Sequence, residues 1–286
     1  MSNFNKISIE IINQCYTLEH YKMTNPLLPS VEMGYIIHLA NPKYDKRKKM
    51  CINQLKKYHP VENCIMVLNK GYKNCKKDSF ITKPYQDLND VYYFIFNHAK
   101  KNNYKIILIF EDDFFFDNKI LNKNIYTDID NFIKNKNNYY IYSLGGRMYP
   151  NNPLYAISNL FNKHIRVRNT TSSHAIIYSD LYINEILDNV KQQDMGHCDQ
   201  MFKHYKSYMY YEPICWQLSE VTENSIEWDK NGSTTTNKNH KMTHVSRFGY
   251  KIDYDLQVTN TITVFTTFLL IILLVILLNI IRTKKN

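Results

Sequence analysis

The chain is short of the residues that punctuate or staple a fold. Its 286 residues include 7 glycines, 8 prolines and 6 cysteines. The low glycine and proline counts say little about architecture. The cysteines say more, because Cys15, Cys51, Cys64, Cys75, Cys198 and Cys215 form no CxxC pair. That argues against a zinc site and against a dense disulfide framework. A chain long enough to bury a full core needs no staples, so they read as reduced thiols in a cytosol-facing domain. No GxGxxG follows the first strand-like segment, which leaves a dinucleotide oxidoreductase unsupported. Walker and kinase signatures, a GxSxG elbow and HExxH are also missing. The N-terminus has no uninterrupted apolar stretch of signal-peptide type, and no internal repeat is evident.

What stands out is KIILIFEDD, Lys105–Asp113. An apolar, isoleucine-rich run of this length reads as a strand buried on both faces. It ends in Glu111, Asp112 and Asp113, and in open α/β sheets ligands sit beyond the carboxyl ends of the strands. Alternation along a strand predicts Glu111 and Asp113 on one side and Asp112 on the other. Hard oxygen ligands there suit Mg²⁺ or Mn²⁺ carrying a substrate diphosphate. A solvated acidic turn is the plainer alternative.

The net charge of +10 comes largely from Lys43, Lys46, Arg47, Lys48 and Lys49, then Lys70, Lys73, Lys76 and Lys77. Such a surface attracts nucleic acid, anionic lipid or a nucleotide diphosphate; singly, each lysine reads as solvated. Ile262–Ile281 is a run of twenty residues without a charge. At 1.5 Å per residue it would span roughly 30 Å, so a transmembrane helix is expected there.

Strands are expected at Gly34–Leu39, Cys64–Leu68 and Tyr139–Ser143, besides the acidic one. Helices are expected at Asp45–Tyr58, where Cys51, Leu55 and Tyr58 form a stripe, and from Asp87, read as a cap, through Leu88, Val91, Tyr92, Ile95 and Ala99. A third is marked by Ile125, Ile129, Phe132 and Ile133. This β-α-β-α-β-α-β order predicts an α/β, Rossmann-type, mostly parallel sheet with helices on both faces. Later, Ser173–Tyr178 reads as a strand, Ser179 as the cap of a helix through Ile183, Ile186, Leu187 and Val190, residues 199–208 as a helix, and Tyr208–Tyr211 as extended. Residues 1–33 then read as an N-terminal extension, 34–222 as the main domain, 223–261 as a polar stalk, 262–281 as the membrane helix and 282–286 as a short basic tail.

Three segments, in order, resemble glycosyltransferase family 25, which includes lipopolysaccharide and procollagen galactosyltransferases. GYIIHLANPKYDKRKKMCINQL is similar to the family's opening strand, loop and basic helix. LIFEDDFFFD looks like its metal and donor motif. SSHAIIYSDLYINEIL with HCDQMFKHYKSYMYYEPICWQ is similar to its late strand and helix, an acid and a Pro…Gln segment. Two departures are visible. YQDLNDVYYFIFNHA stands where the family has a Gly-Cys…Ser-His turn, and His38 replaces the opening asparagine, so no role is carried onto it.

The resemblance implies a GT-A-like fold and transfer of a hexose, galactose or glucose, from a UDP-sugar to an acceptor hydroxyl with inversion. It implies a Mn²⁺ or Mg²⁺ ion on Asp113 with Glu111 or Asp112, neutralising the leaving diphosphate. Asp199 matches the family's late acid and is the expected general base, with Asp194 as the second candidate. Arg47 is a candidate for the uracil or diphosphate region, and His174 for contact with donor or acceptor. The acceptor would be a glycan, a lipid-linked glycan or a protein. A missing signal peptide and a single C-terminal span predict a C-terminal anchor with residues 1–257 facing the cytosol, although the basic tail opposes that topology. A catalytically inactive, membrane-tethered interaction protein of the same fold is the rival reading. A nucleic-acid-binding protein ranks lower, because no recognition-module fingerprint accompanies the charge.

Overall fold

Apolar runs become the centre of the sheet in the computed structural model. The structure describes residues 3–138, 140–145, 147–148, 162–167, 170–171, 173–198, 206–211, 213–217, 265–278 and 280–281. The strands β3 (Met33–Leu39), β4 (Asn63–Asn69) and β5 (Ile106–Glu111) are buried along most of their length. Their neighbours are parallel, β4 to β3 and β3 to β5, through the helices α1 (Asp45–Tyr58) and α2 (Pro84–Lys101).

Six further strands bring the opposite direction or extend the sheet. These include β1 (Phe4–Ile11), β2 (Tyr16–Met23), β7 (Ile141–Ser143), β9 (His164–Val167) and β11 (Ala175–Ser179), joined by β12 (Ser207–Tyr210). The full order is β1-β2-β4-β3-β5-β11-β7-β12-β9. Antiparallel pairing joins β1 to β2, β2 to β4, β5 to β11, β11 to β7 and β9 to β12. The expected mostly parallel sheet is therefore corrected to a mixed one. The cause is local: β11 enters between β5 and β7, and the segment read as an N-terminal extension adds the antiparallel hairpin β1–β2. Asn13 closes that hairpin, its Oδ1 accepting from Cys15 N at 2.7 Å and Tyr16 N at 2.9 Å.

Alternation along the strands sends the side chains into two apolar layers. Ile36, Met66 and Leu108 meet Cys51, Leu55 and Tyr58 of α1 and Ile125, Ile129 and Ile133 of α3 (Lys123–Lys134). Tyr35, Val67 and Ile109 meet Val91, Tyr92, Ile95 and Phe96 of α2 and Tyr182, Ile183 and Ile186 of α4 (Asp180–Asn189). Ser179 caps α4, accepting from Tyr182 N. Outside the large sheet, β6 (Phe114–Phe116) pairs antiparallel with β13 (Cys215–Gln217), and β8 (Arg147–Met148) pairs with β10 (Thr170–Thr171).

Several expectations change. Helix α2 starts at Pro84, with Gln86 Oε1 accepting from Lys83 N at 3.0 Å. Asp87 is thus no cap; it lies buried in the first turn, accepting from Asn69 Nδ2 at 2.8 Å. The Lys77 side chain is only 4% exposed, bridging Asp87 at 2.6 Å and Asp90 at 2.8 Å, so it is not a solvated surface charge. Cys15 and Cys75 form a disulfide with Cα atoms 5.5 Å apart, against the all-reduced reading. It ties the loop after β4 to the start of β2; Cys51, Cys64, Cys198 and Cys215 are free and buried.

The transmembrane helix expected at 262–281 is overturned. No helix among the described residues is long and apolar enough to cross a membrane. Helical backbone is described there over residues 265–278 and 280–281. An uncharged run in the sequence does not by itself set the length of a helix. Tyr139, Asn169, most of residues 199–208, and residues 223–261, read as a stalk, lie outside the described residues.

Candidate active site at the ends of β3 and β5

The acidic end of β5 breaks the strand's alternation. The strand stops at Glu111, and Asp112 and Asp113 form a turn into β6. Each carboxylate consequently meets a different environment. Glu111 faces the α2 layer: its Oε1 accepts from Tyr92 Oη at 3.4 Å and from the Ser173 hydroxyl. Asp112 faces α1, where Arg47 Nη1 donates to its Oδ1 at 3.0 Å. His38 Nδ1 lies 2.7 Å from the other oxygen, Oδ2. Asp113 is close enough to Asp112 for the Asp112 charge to raise its carboxyl, although alternation along a strand would set Asp113 with Glu111. The joint charge of Asp112 and Asp113, after burial itself, pushes the Cys51 thiol well up.

Arg47 belongs to this arrangement because of its helix position. It lies on the same face of α1 as Cys51, four residues on, and that face packs inward. Its side chain is 7% exposed and that of Asp112 12%. The guanidinium also sits over the Tyr44 ring, 5.2 Å from its centroid. Arg47 is therefore a buried counter-ion for Asp112 rather than part of a surface lysine run.

Asp113 differs from both neighbours. Gln217 Nε2 donates to its Oδ2 at 2.9 Å, while Oδ1 is buried without a hydrogen-bond partner among the described residues. Burial, reinforced by the Asp112 charge, raises its carboxyl to about 7. A buried carboxylate oxygen without a partner is costly, and native structures keep few of them.

His174 is held close by. Its backbone oxygen accepts from Glu111 N at 3.1 Å, and its Nε2 lies 3.2 Å from Cys215 O. Cys215 can approach so closely because residue 145 is glycine: a Cβ there would fall 1.7 Å from Cys215 O. The His174 ring is buried, which lowers its pKa to about 4, and its Nδ1 has no partner among the described residues.

Of the two acids expected to act as base, Asp199 lies outside the described residues. Asp194 is exposed at the end of a short 3₁₀ turn, Gln192–Asp194. The chain between them is anchored to the site's walls. Asn89 Nδ2 of α2 donates to Gly196 O at 2.7 Å, and Cys198 Sγ lies 3.4 Å from the Ser173 hydroxyl that holds Glu111. His38, Ser173 and Gln217 are the site residues that sequence reasoning passed over. Only the position of His38 at the end of an apolar strand could have signalled one of them.

A dication implied by the family resemblance fits this site in one form only. Among the described residues, no group of three or more His, Cys, Asp or Glu side chains could hold a metal ion, and both oxygens of Asp112 are already engaged. The unpartnered oxygen of Asp113 does suit an ion bound through one carboxylate and shared with substrate phosphates, as Mg²⁺ commonly is.

Comparison with known proteins gives little beyond this geometry. No family model matches the chain, and no curated protein matches it. Among solved structures it is similar to a glycosyltransferase involved in the glycosylation of the major capsid of PBCV-1. The identity is 10% and the TM-score 0.32, over 71% of this chain and 98% of that one. A likeness this distant assigns neither a family nor an activity.

Proposed function

We propose that the chain is a glycosyltransferase moving a hexose, galactose or glucose, from a UDP-sugar to an acceptor hydroxyl at the ends of β3 and β5. The observation that carries this reading is Asp113, a buried carboxylate with one oxygen held by Gln217 and the other unpartnered. Its place at the carboxyl end of a central strand is where α/β sheets take ligands. Mn²⁺ or Mg²⁺ on Asp113 would supply neutralisation of the leaving diphosphate. Arg47 and His38 hold Asp112 rigid, which fixes the turn that aims Asp113. Asp199, with Asp194 as the second candidate, takes the proton from the acceptor hydroxyl as its oxygen attacks the anomeric carbon. The bond from that carbon to the diphosphate oxygen breaks, UDP leaves, and a single displacement inverts the configuration.

Release of UDP from UDP-galactose and UDP-glucose by the full chain, with Mn²⁺ or with chelator, tests the reading. Turnover should need the metal and vanish in Asp113→Ala. Near-wild-type turnover in chelator by both Asp112→Ala and Asp113→Ala would refute it. The engagement of Asp112 by Arg47 and His38, with no three-acid group among the described residues, favours a second reading. There the same site binds the nucleotide without transfer, and the protein acts through interactions. Metal-dependent UDP binding with no turnover across a donor and acceptor screen would select it.

A further inference from the structure

The ring of His174 is fixed in one tautomer by a chain of backbone contacts. Leu144 O accepts from Ile214 N at 2.9 Å and Cys215 N at 3.0 Å. This seats the 214–215 backbone on residues 144–145, where the missing side chain of Gly145 leaves room for Cys215 O. A carbonyl oxygen can only accept, so the 3.2 Å contact with His174 Nε2 requires that nitrogen to carry the proton. A neutral ring with its proton on Nε2 has a bare lone pair on Nδ1. That atom is enclosed and has no partner among the described residues.

A bare imidazole nitrogen accepts a hydrogen bond and donates none. Ionised phosphate and carboxylate oxygens, which also only accept, cannot satisfy it; a hydroxyl can. The surroundings say which hydroxyl. His174 is bonded through its own backbone to Glu111. The strand β13 carries Cys215 against His174 and, two residues on, Gln217 against Asp113. The two unpartnered atoms, Asp113 Oδ1 and His174 Nδ1, thus flank one short strand, one suited to a cation and the other to a hydroxyl. We infer that His174 Nδ1 accepts a hydrogen bond from a hydroxyl of the transferred hexose, making His174 a specificity-determining residue for the sugar rather than the nucleotide. The inference rests on the UDP-sugar reading above and adds which part of the donor meets this residue.

The test uses the full chain with ¹⁵N-labelled histidine, the His174 ring assigned through the backbone, and Mg²⁺ as a diamagnetic ion. The free protein should show Nε2 protonated and Nδ1 bare. UDP with Mg²⁺ should leave the Nδ1 shift in place, and UDP-galactose or UDP-glucose should move it in the direction of an accepted hydrogen bond. In parallel, His174→Gln should weaken UDP-hexose binding by about tenfold, the worth of one hydrogen bond, without weakening UDP. If UDP and UDP-hexoses bind but none moves Nδ1, the nitrogen serves a bound water and the inference fails while the functional reading stands. A shift already complete with Mg²⁺ or UDP would mark a contact with the ion or nucleotide and overturn it equally. Failure of the wild type to bind UDP or any UDP-hexose would sink the functional reading, and this inference with it.

Discussion

Replacing Asp113 by asparagine should make the metal-free protein more stable at neutral pH while disabling its site. Asparagine keeps the acceptor for Gln217 and removes a buried charge whose Oδ1 has no hydrogen-bond partner among the described residues and whose burial outweighs the attraction of Arg47. The carboxyl moves from its usual 3.8 to about 7 on folding, so between those values the folded state binds more protons than the unfolded one. Stability from this group is then full at low pH and falls as pH rises from about 4 through about 7. At 1.36 kcal/mol per pH unit the loss approaches about 4 kcal/mol above pH 7. Urea unfolding in chelator, from pH 4.5 to 8, should show Asp113→Asn gaining on the wild type across that window. For a chain of this size the gain at pH 7.5 corresponds to a Tm rise on the order of 10 °C. Groups away from this turn contribute equally to both proteins, so the difference reports Asp113 together with the Asp112 charge that acts on it. Parallel curves, or an asparagine variant less stable at pH 7.5, would show that Asp113 is not a strained, unpartnered carboxylate.

Arg47→Met should cost about 3 kcal/mol in urea unfolding, since it strands the buried Asp112 with His38 alone; adding Asp112→Asn should recover part of that loss, and strictly additive losses would contradict the pairing. Replacing both Cys15 and Cys75 by serine should lower stability by about 4 kcal/mol in the chain-entropy account of a cross-link with a sequence separation of 60, and an unchanged urea midpoint would argue that the bond constrains nothing. Asp199→Asn should reduce turnover by about 10²–10⁴-fold with donor affinity unchanged, whereas an intact rate together with a collapsed one in Asp194→Asn would transfer the role.

Regular periodicity made much of the core legible. The stripe Cys51, Leu55, Tyr58 marks α1 with its observed ends, and Ser179 caps α4 through a contact only three residues long. The central strands β3, β4 and β5 stand out because burial on both faces leaves an apolar run. The N-terminal hairpin did not, since nearly all of β1 is exposed and Ile7, Ile9 and Ile11 alternate with polar residues without facing a core. Direction was also hidden: β11 is as apolar as a parallel strand, and only its insertion between β5 and β7 makes it antiparallel.

At the site, the sequence marked the acidic triplet but not its division of labour. Alternation holds only while the strand continues, and the turn at Asp112 and Asp113 ends it. The partners that distinguish the three acids are Arg47 and His38 for Asp112, Gln217 for Asp113 and Ser173 for Glu111. They arrive from 62 to 104 residues away, beyond any local spacing rule. The disulfide is unreadable for the same reason, because six cysteines allow many pairings.

The most direct test of the account is calorimetric titration of UDP into the full chain with Mn²⁺, repeated in chelator and with Asp113→Asn. The account predicts binding that requires the ion and disappears in the asparagine variant while its fold and stability persist. UDP binding of equal strength in all three conditions would contradict it.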